Sequence, residues 1–386
     1  MIINLTSEIA VQGKLATIVG FKDCIIIRTL LNRGVDFIFL DFRSLSNKEL
    51  ALHLKNKVVV FTSFSPRLAL YRLYYANPIV LYWNVFPTRL KTANKLGSID
   101  ITFLTKRLVK YLAVKNGTVF MEYKGWKVSS SILNGEDILL ESNYLPIPVK
   151  IKEKTNFQKV TSQIKGTINI SYVGRGSDWK VKPFIKVIED INEWKGPKTK
   201  IVFHLITQDV ETYKRKLDSL RLRPEICIVY QENLSGESYE TYMRNNINLH
   251  VAMGTSALDG AALGIPTILI DYTMTAMPKN YRYKWIFETK GYDLGGEANA
   301  EASNRHVISD ILLPFIEDDM LTLKKLSSKC YNYVKDNHDL AIISNSLISY
   351  AEQTSCRART IVNHTAVNYL GIRNLLLLYS SYKNRR

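Results

Sequence analysis

Two short apolar runs in the middle of the chain, at 247–252 and 265–270, constrain the fold more than any other feature. Their length is typical of buried strands. The segment between them is rich in Gly, Ala and Leu and predicts a short helix over 257–263, closed by Gly264, a residue suited to the left-handed position after a helix. A strand, a helix and a second strand in this order form a parallel pair with a crossover helix. The chain is therefore predicted to contain a parallel α/β sheet.

A loop of small residues, Gly254, Thr255 and Ser256, follows the first of these strands. Ligands of parallel α/β sheets bind at the carboxyl ends of the strands, and a helix N-terminus at that place favours an anion. Thr255 or Ser256 would cap the helix, and Asp259, one turn further on, would accept hydrogen bonds from a sugar hydroxyl. The loop therefore suits a phosphate and a ribose, although an ordinary loop with an ordinary helix cap has the same residues.

A second loop supplies positive charge. The apolar run 168–173 predicts a strand that leads into Gly174 and Arg175, and Lys180 follows five residues after the arginine. A guanidinium group matches phosphate oxygens, and an ammonium group adds a mobile point charge. Two cations beside a diphosphate would stabilise the negative charge that grows as a glycosidic bond to phosphate breaks. Alone, this loop also fits a solvated basic turn; together with the Gly254 loop, it favours a diphosphate site.

Strand-like and helix-like segments alternate along the chain in two series, a rhythm typical of doubly wound parallel sheets. We therefore predict an α/β fold of two Rossmann-like domains facing each other across a cleft. The predicted parts are an N-terminal domain at 1–150, a linker at 151–165, a second domain at 166–350 and a helical tail at 351–386. For the tail, packing on the first domain is favoured over contact with a membrane. The predicted strands are 36–40, 58–61, 79–83, 101–104 and 118–123, then 168–173, 201–206 and 226–230 before the central pair; the predicted helices include 23–32, 66–75, 106–115, 182–194, 210–220 and 238–245.

Two further side chains stand at predicted strand ends. Asn84 follows the strand predicted at 79–83, where an active-site loop would lie, although a turn-forming asparagine is slightly favoured over a ligand contact. Tyr230, at the end of the strand predicted at 226–230, is a candidate contact for the ligand of the predicted diphosphate site.

The formal net charge of +17 limits the partners. The first 150 residues carry net +10 and the rest net +7. A basic surface suits nucleic acid, an anionic membrane or a phosphorylated substrate, and a basic surface with no partner is the fourth alternative. The sequence has no helix-turn-helix, zinc-finger or RNP pattern, which makes nucleic acid the least favoured partner.

The expected cellular location and the state of the cysteines follow from the absence of three sequence patterns: a membrane span, a signal peptide and paired cysteines. No apolar stretch reaches the roughly twenty residues that span a bilayer, and no signal-peptide pattern opens the chain. We therefore expect a cytoplasmic protein, with peripheral contact at the inner face of the membrane as a further option. The four cysteines have no CxxC spacing, so neither a zinc site nor a disulfide framework is expected.

These motifs resemble those of the GT-B glycosyltransferases, above all the retaining family 4 group that builds bacterial surface polysaccharides. In that group a strand ends in Val-Gly-Arg, and a lysine follows five residues after the arginine; residues 173–175 and Lys180 have this spacing. The group also has an acidic residue in a segment similar to Leu-Glu-Ala-Met-Ala-x-Gly-x-Pro, which residues 258–266 match with Asp259 in place of Glu.

Two positions depart from that pattern. Val251 stands where a partner glutamate is usual, and Asn84 corresponds loosely to a first-domain histidine. These departures leave retention or inversion of the sugar configuration open.

The resemblance implies a glycosyltransferase that moves a sugar from a nucleotide-diphosphate donor to a glycan or lipid-linked acceptor. It implies that Arg175 and Lys180 are catalytic. The implied donor-binding residues are Gly174, Gly254, Thr255, Ser256, Asp259 and Tyr230, with Asn84 as a contact from the first domain. No metal or other cofactor is expected beyond the nucleotide sugar as co-substrate. The alternatives are a sugar-nucleotide epimerase of the same fold and a non-catalytic protein that binds anionic membrane.

Overall fold

The computed structural model describes residues 1–20, 24–41, 44–62, 73–85, 95–96, 99–100, 102–133, 143–151, 166–194, 196, 198–298 and 306–363. The chain divides into two compact units. Unit 1 comprises Met1–Pro148 together with the chain from Leu340, and unit 2 comprises Val149–Asp339.

Unit 1 is an α/β unit whose longer strands run parallel. Strand β1 (Ala16–Gly20) pairs with β2 (Phe37–Asp41), and β4 (Ile79–Asn84) lies between β3 (Val58–Phe61) and β7 (Thr118–Phe120). A short antiparallel ladder joins β5 (Lys95–Leu96) and β6 (Ile99–Asp100). The helices in this part of the chain are α1 (Ile2–Val11), α2 (Ile25–Asn32), α3 (Asn47–Leu54), α4 (Thr102–Val114) and α5 (Tyr123–Ile132).

The central strand β4 organises the core of unit 1. Its side chains are buried on both faces, as expected for a parallel strand covered by helices. Tyr82 packs with Phe120 and Leu112 on one face, and Trp83 packs with Val119 on the other. The core of this unit therefore lies on both sides of β4.

Unit 2 is built on a six-stranded sheet. Its strands are β8 (Thr167–Val173), β9 (Lys200–Ile206), β10 (Ile226–Gln231), β11 (Leu249–Ala252), β12 (Thr267–Leu269) and β13 (Lys284–Trp285). They lie in the order β10-β9-β8-β11-β12-β13, and all neighbours are parallel except β12 and β13. This is the strand order of a Rossmann-type sheet, in which the order reverses beside the first strand. The topological switch point therefore lies between β8 and β11.

Four helices connect the parallel strands as crossovers: α6 (Asp178–Glu193), α7 (Val210–Leu217), α8 (Gly236–Asn246) and α9 (Thr255–Ala262). Two further helices, α10 (Ile308–Ile316) and α11 (Met320–His338), follow β13. On one face of β8, Tyr172 stacks on Phe184 with ring centroids 4.7 Å apart, and Tyr213 meets the same ring edge-on. On the other face, α8 and α9 pack through Met243, Leu263 and their neighbours. The doubly wound α/β architecture is thus confirmed.

Helix α12 (Leu340–Gln353) and helix α13 (Ala358–Asn363) belong to unit 1. Ile343 and Leu347 of α12 pack on Trp83, and Ile361 of α13 packs in the cluster around Tyr82. The second domain was predicted to run to 350, whereas the division falls at Asp339. Most of the predicted linker 151–165, and the tail beyond 363, lie outside the described residues.

Several elements differ from their sequence predictions. The strand predicted at 101–104 is wrong: its described residues open helix α4. The strand predicted at 118–123 stops at Phe120, and Tyr123 already begins α5. A four-residue segment is too short to show a periodicity that separates a strand from the first turn of a helix. Most of the helix predicted at 66–75 lies outside the described residues. In the part of the chain that the structure describes, no helix is both long and apolar enough to cross a membrane.

Candidate functional site

The loop after β8 is held to its neighbours through backbone atoms. Gly174 N–H donates to the Ile206 carbonyl (3.3 Å), and the Tyr213 hydroxyl donates to the Arg175 carbonyl (3.1 Å). Gly176 N–H donates to the Asp209 carboxylate (2.7 Å). The backbone that carries Arg175 is therefore anchored to β9 and to the start of α7, while the Arg175 residue itself is exposed.

Lys180 lies near Arg175 in the first turn of α6. Its ammonium group lies 5.0 Å from the ring centroid of Trp179, within cation–π range. The pKa of Lys180 is lowered, first by burial and then by the positive charge of Arg175. Two like charges in a half-buried place repel each other, and an anion between them would relieve this repulsion. The structure thus brings these two predicted catalytic cations into electrostatic contact.

The loop after β11 offers backbone donors. Gly254 precedes helix α9 with φ +64° and ψ −142°, a conformation that favours glycine, and its N–H donates to the Leu294 carbonyl (2.7 Å). Among the described residues, no side chain caps this helix, because the N-cap position is held by Gly254. The Ser256 hydroxyl, inside the first turn, donates to the Met253 carbonyl (2.9 Å). The prediction that Thr255 or Ser256 caps the helix is therefore wrong. Because the first N–H groups of a helix have no intrahelical acceptor, those of Thr255 and Ser256 suit an anion.

Asp259 lies one turn further along α9, beside helix α8. The residue is exposed, but protein atoms crowd its carboxylate. This desolvation, followed by the negative charge of Glu240, raises the pKa of Asp259 to about 6. Burial and the Asp259 charge raise the pKa of the neighbouring Tyr239, whose hydroxyl has no hydrogen-bond partner within the described part of the chain. The Asp259 carboxylate thus carries a charge that its surroundings do not fully stabilise, and a ligand hydroxyl would improve its solvation.

The sheet topology places the two loops side by side. Val251 of β11 pairs with Tyr172 of β8, so both strands end at the same edge of the sheet, about 4.8 Å apart. The start of α6 also touches the segment after β12, because Trp179 meets Tyr272 edge-on with centroids 5.9 Å apart. Gly174, Arg175 and Lys180 therefore share the switch-point edge of the sheet with the loop of Gly254, Thr255 and Ser256. Ligands of open α/β sheets bind at such a crevice.

Tyr230 lies away from these two loops. It is near the end of β10, which is the outer strand of the sheet and is separated from β8 by β9. The Lys214 ammonium lies 5.6 Å from its ring centroid, and burial raises the pKa of the Tyr230 hydroxyl. Only an outlying part of a ligand centred on the switch point would reach Tyr230.

Asn84 ends strand β4 in unit 1. It is 1% exposed, and its amide nitrogen donates to the Ser129 hydroxyl (3.3 Å). Its side-chain oxygen has no hydrogen-bond partner among the residues that the structure describes. A buried amide with one unpaired oxygen fits a structural role and also leaves an acceptor at the carboxyl end of β4.

Asp271 is a residue that the sequence reasoning missed. It is 3% exposed and lies two residues after the end of β12. One carboxylate oxygen accepts from Gly296 N–H (2.7 Å), and the other accepts from the Tyr281 hydroxyl (2.9 Å). These bonds hold the segment whose Leu294 carbonyl receives the Gly254 N–H. The position of an aspartate at the end of an apolar run was the available signal.

No metal centre is evident in the described ranges: no three His, Cys, Asp or Glu side chains lie close enough together to bind a metal ion. At the switch-point edge of unit 2, Arg175, Lys180 and the backbone donors of α9 are groups that suit an anionic ligand.

The strand order and the connecting helices define a Rossmann-type α/β architecture in unit 2. The sequence matches no protein-family model and no curated protein. The fold is similar to that of a glycosyltransferase from Rickettsia africae ESF-5, with 14% identity, a TM-score of 0.56 and coverage of 91% of this chain and 93% of that chain. It is also similar to HepE from Anabaena in complex with UDP, with 11% identity, a TM-score of 0.53 and coverage of 90% of this chain and 94% of that chain. The corresponding HepE complex with UDP-glucose has a TM-score of 0.51.

These likenesses extend over nearly the full length of both chains. The predicted fold class is therefore confirmed: the chain has the two-unit, Rossmann-like α/β fold of the GT-B glycosyltransferases.

Proposed function

We propose that the chain is a glycosyltransferase that moves a sugar from a nucleotide-diphosphate donor to a glycan or lipid-linked acceptor. The observation that carries the proposal is the pair Arg175 and Lys180 at the switch-point edge of unit 2, beside a helix N-terminus without a described side-chain cap. Positive charge and backbone donors at one place form a site for a diphosphate. The HepE structures, which contain UDP and UDP-glucose, make a uridine nucleotide the first donor to test.

In the proposed reaction, the bond between the anomeric carbon and the β-phosphate oxygen breaks, and its electron pair stays on the diphosphate. Arg175, Lys180 and the N–H groups at the start of α9 stabilise the charge that grows there. An acceptor hydroxyl forms the new glycosidic bond and loses its proton to a base. In this proposal protein cations take the place of a metal ion, and Asp259 binds the ribose hydroxyls.

The acceptor side of the proposal rests on charge. The first 150 residues carry net +10, which suits an anionic, lipid-linked acceptor at the inner face of a membrane. Synthesis of a bacterial surface polysaccharide, by the resemblance to the family 4 group, is the proposed biological setting.

Release of nucleoside diphosphate from a panel of sugar nucleotides tests the proposal. We expect Arg175→Ala and Lys180→Ala each to lower kcat/KM by about a hundredfold, because each removes one stabilising charge from the leaving group. Lys216→Ala, which removes an exposed cation from α7, is the matched control and should leave turnover unchanged.

Three results would contradict the proposal. Unchanged turnover in both site variants would exclude the assigned diphosphate site. Conversion of a sugar nucleotide to its epimer without release of nucleoside diphosphate would identify an epimerase instead. Salt-sensitive binding to anionic vesicles with no response to any sugar nucleotide would identify a non-catalytic membrane-binding protein.

A further inference from the structure

His250 is a buried histidine in the middle of strand β11, and it contacts both the sheet and helix α9. It is 0% exposed. Its Nε2 lies 3.0 Å from the Ser256 carbonyl oxygen, and its Nδ1 lies 2.7 Å from the Ser171 hydroxyl. Because a carbonyl can only accept, Nε2 carries the proton and Nδ1 accepts from Ser171. One imidazole thus joins β8, β11 and the first turn of α9.

The same ring also packs against the next turn of α9. A methyl group at Gly260 would collide with the imidazole carbons of His250. The helix therefore approaches the ring as closely as a glycine allows, and Ser256 and Gly260 are both held to it. The first two turns of α9 are therefore in direct contact with the imidazole ring.

The ring is neutral at physiological pH. Burial lowers the pKa of His250 to about 4. A neutral ring with its proton on Nε2 satisfies the Ser256 carbonyl without burying a positive charge inside the sheet.

We infer that His250 is a positioning residue for diphosphate binding: it holds the first turn of α9 so that the N–H groups of Thr255 and Ser256 face the phosphates. The inference rests on the proposed function. It goes further, because it assigns a role to a side chain that does not itself touch the ligand.

His204 provides a matched control in strand β9 of the same sheet, which is separated from β11 by β8. It is also buried, and burial lowers its pKa to about 4 as well. Its Nε2 lies 2.8 Å from the Asn169 side-chain oxygen and its Nδ1 lies 2.6 Å from the Tyr242 hydroxyl, so it bonds to α8. None of its bonds among the described residues reaches α9. A variant of His204 therefore disturbs the same sheet without moving the proposed phosphate donors.

The test compares two amide substitutions that differ by one methylene group. In His250→Gln the side-chain amide extends to the place of Nε2 and can still donate to the Ser256 carbonyl. In His250→Asn the shorter side chain does not reach it. The probes are UDP, GDP, ADP and dTDP. The diphosphate that wild type binds most tightly, and the corresponding nucleoside, are then titrated against each variant.

We expect His250→Asn to weaken diphosphate binding about fivefold, the scale of one lost hydrogen bond, and to leave nucleoside binding unchanged. His250→Gln should stay within about twofold of wild type, and His204→Asn should match wild type. Ser171→Ala removes the hydrogen bond to Nδ1 but keeps the imidazole, and it serves as a second test if His250→Asn does not fold. We expect this variant to lose about twofold in diphosphate affinity and to keep its nucleoside affinity.

Equal diphosphate affinity in His250→Asn and His204→Asn would overturn the inference, as would an equal loss for the nucleoside and the diphosphate. If His250→Asn does not fold, unchanged diphosphate affinity in Ser171→Ala would overturn it. If wild type binds none of the four diphosphates, the proposed function fails and the inference fails with it. The two failures are therefore distinguishable by the wild-type titration alone.

Discussion

The two loops that meet at the switch point of unit 2 offer an anion different kinds of group. The loop after β8 supplies side-chain charge through Arg175 and Lys180, whereas the loop after β11 supplies backbone N–H groups at the start of α9. Side-chain charges are strong, but they are mobile and salt screens them. Backbone donors are weaker, but the fold holds them in place. Anion binding by the first loop should therefore depend on which side chains the loop contains. Anion binding by the second loop should depend on the backbone geometry around Gly254.

The largest effect on turnover should come from removing both cationic side chains of the loop after β8. We expect the double variant Arg175→Ala with Lys180→Ala to lower kcat/KM by at least about a thousandfold, because no side-chain cation of this loop then remains for the leaving group. Steady-state kinetics with the preferred sugar nucleotide measure this effect. A double variant no worse than either single variant would show that the two cations act as one unit.

The next largest effect should come from the backbone of the second loop. Gly254 and Gly264 both have positive φ, +64° and +78°, at opposite ends of α9. Alanine at either position should cost about 1–3 kcal/mol of strain. We expect only Gly254→Ala to weaken nucleoside diphosphate binding as well, by about tenfold, because its strain falls on the proposed donors.

Calorimetric titration and thermal melts of the two variants separate strain from binding. If Gly264→Ala weakens binding as much as Gly254→Ala, the loss is a general effect of a destabilised helix and the contrast between the loops fails.

A smaller and pH-dependent effect should come from Asp259. Its pKa is raised to about 6 from an ordinary value of 3.8. A raised carboxyl pKa means that the ionised group costs stability above the folded pKa, and that this cost disappears as pH falls from about 6 to about 4. We therefore expect Asp259→Asn to raise Tm at about pH 7.5 and to lose this gain near pH 4, while it weakens nucleotide binding.

Thermal melts across that pH range, with binding measured at the upper end, test the Asp259 assignment. In wild type, nucleotide affinity should fall as the pH falls through about 6. The variant should show a shallower dependence, because only the terminal phosphate of the ligand then titrates in this range. A variant that gains stability and keeps full affinity would remove Asp259 from the ribose site.

The smallest effect should be the response to salt. Raising KCl from about 50 to about 300 mM should weaken nucleoside diphosphate binding by roughly threefold in wild type, because it screens the exposed Arg175. Arg175→Ala should show a shallower dependence, and Gly254→Ala should keep the wild-type slope. Equal slopes in all three proteins would show that the first loop does not contribute through charge.

Sequence reasoning reached the parts of the site that depend on neighbours in the chain. Arg175 and Lys180 are five residues apart at a strand end, and Gly254 precedes a helix with clear composition, so local pattern was sufficient to nominate them. The strand over Val58–Phe61 has the predicted bounds for the same reason. Residues 102–104, which open α4, were misassigned to a strand because so short a segment carries no decisive periodicity.

The order of residues along the chain determined the alternation of strands and helices, the two α/β units and the two loops that carry the candidate diphosphate site, because these features arise from contacts within one element or between successive ones. The tertiary structure alone decided which loops meet. It separated Tyr230 from the switch point by a strand, placed Glu240 beside Asp259, and joined His250 to Ser171 across 79 residues of chain. The physical reason is that hydrogen bonding and desolvation act through space. The neighbouring residues in the chain do not indicate which distant residue each of these side chains will contact.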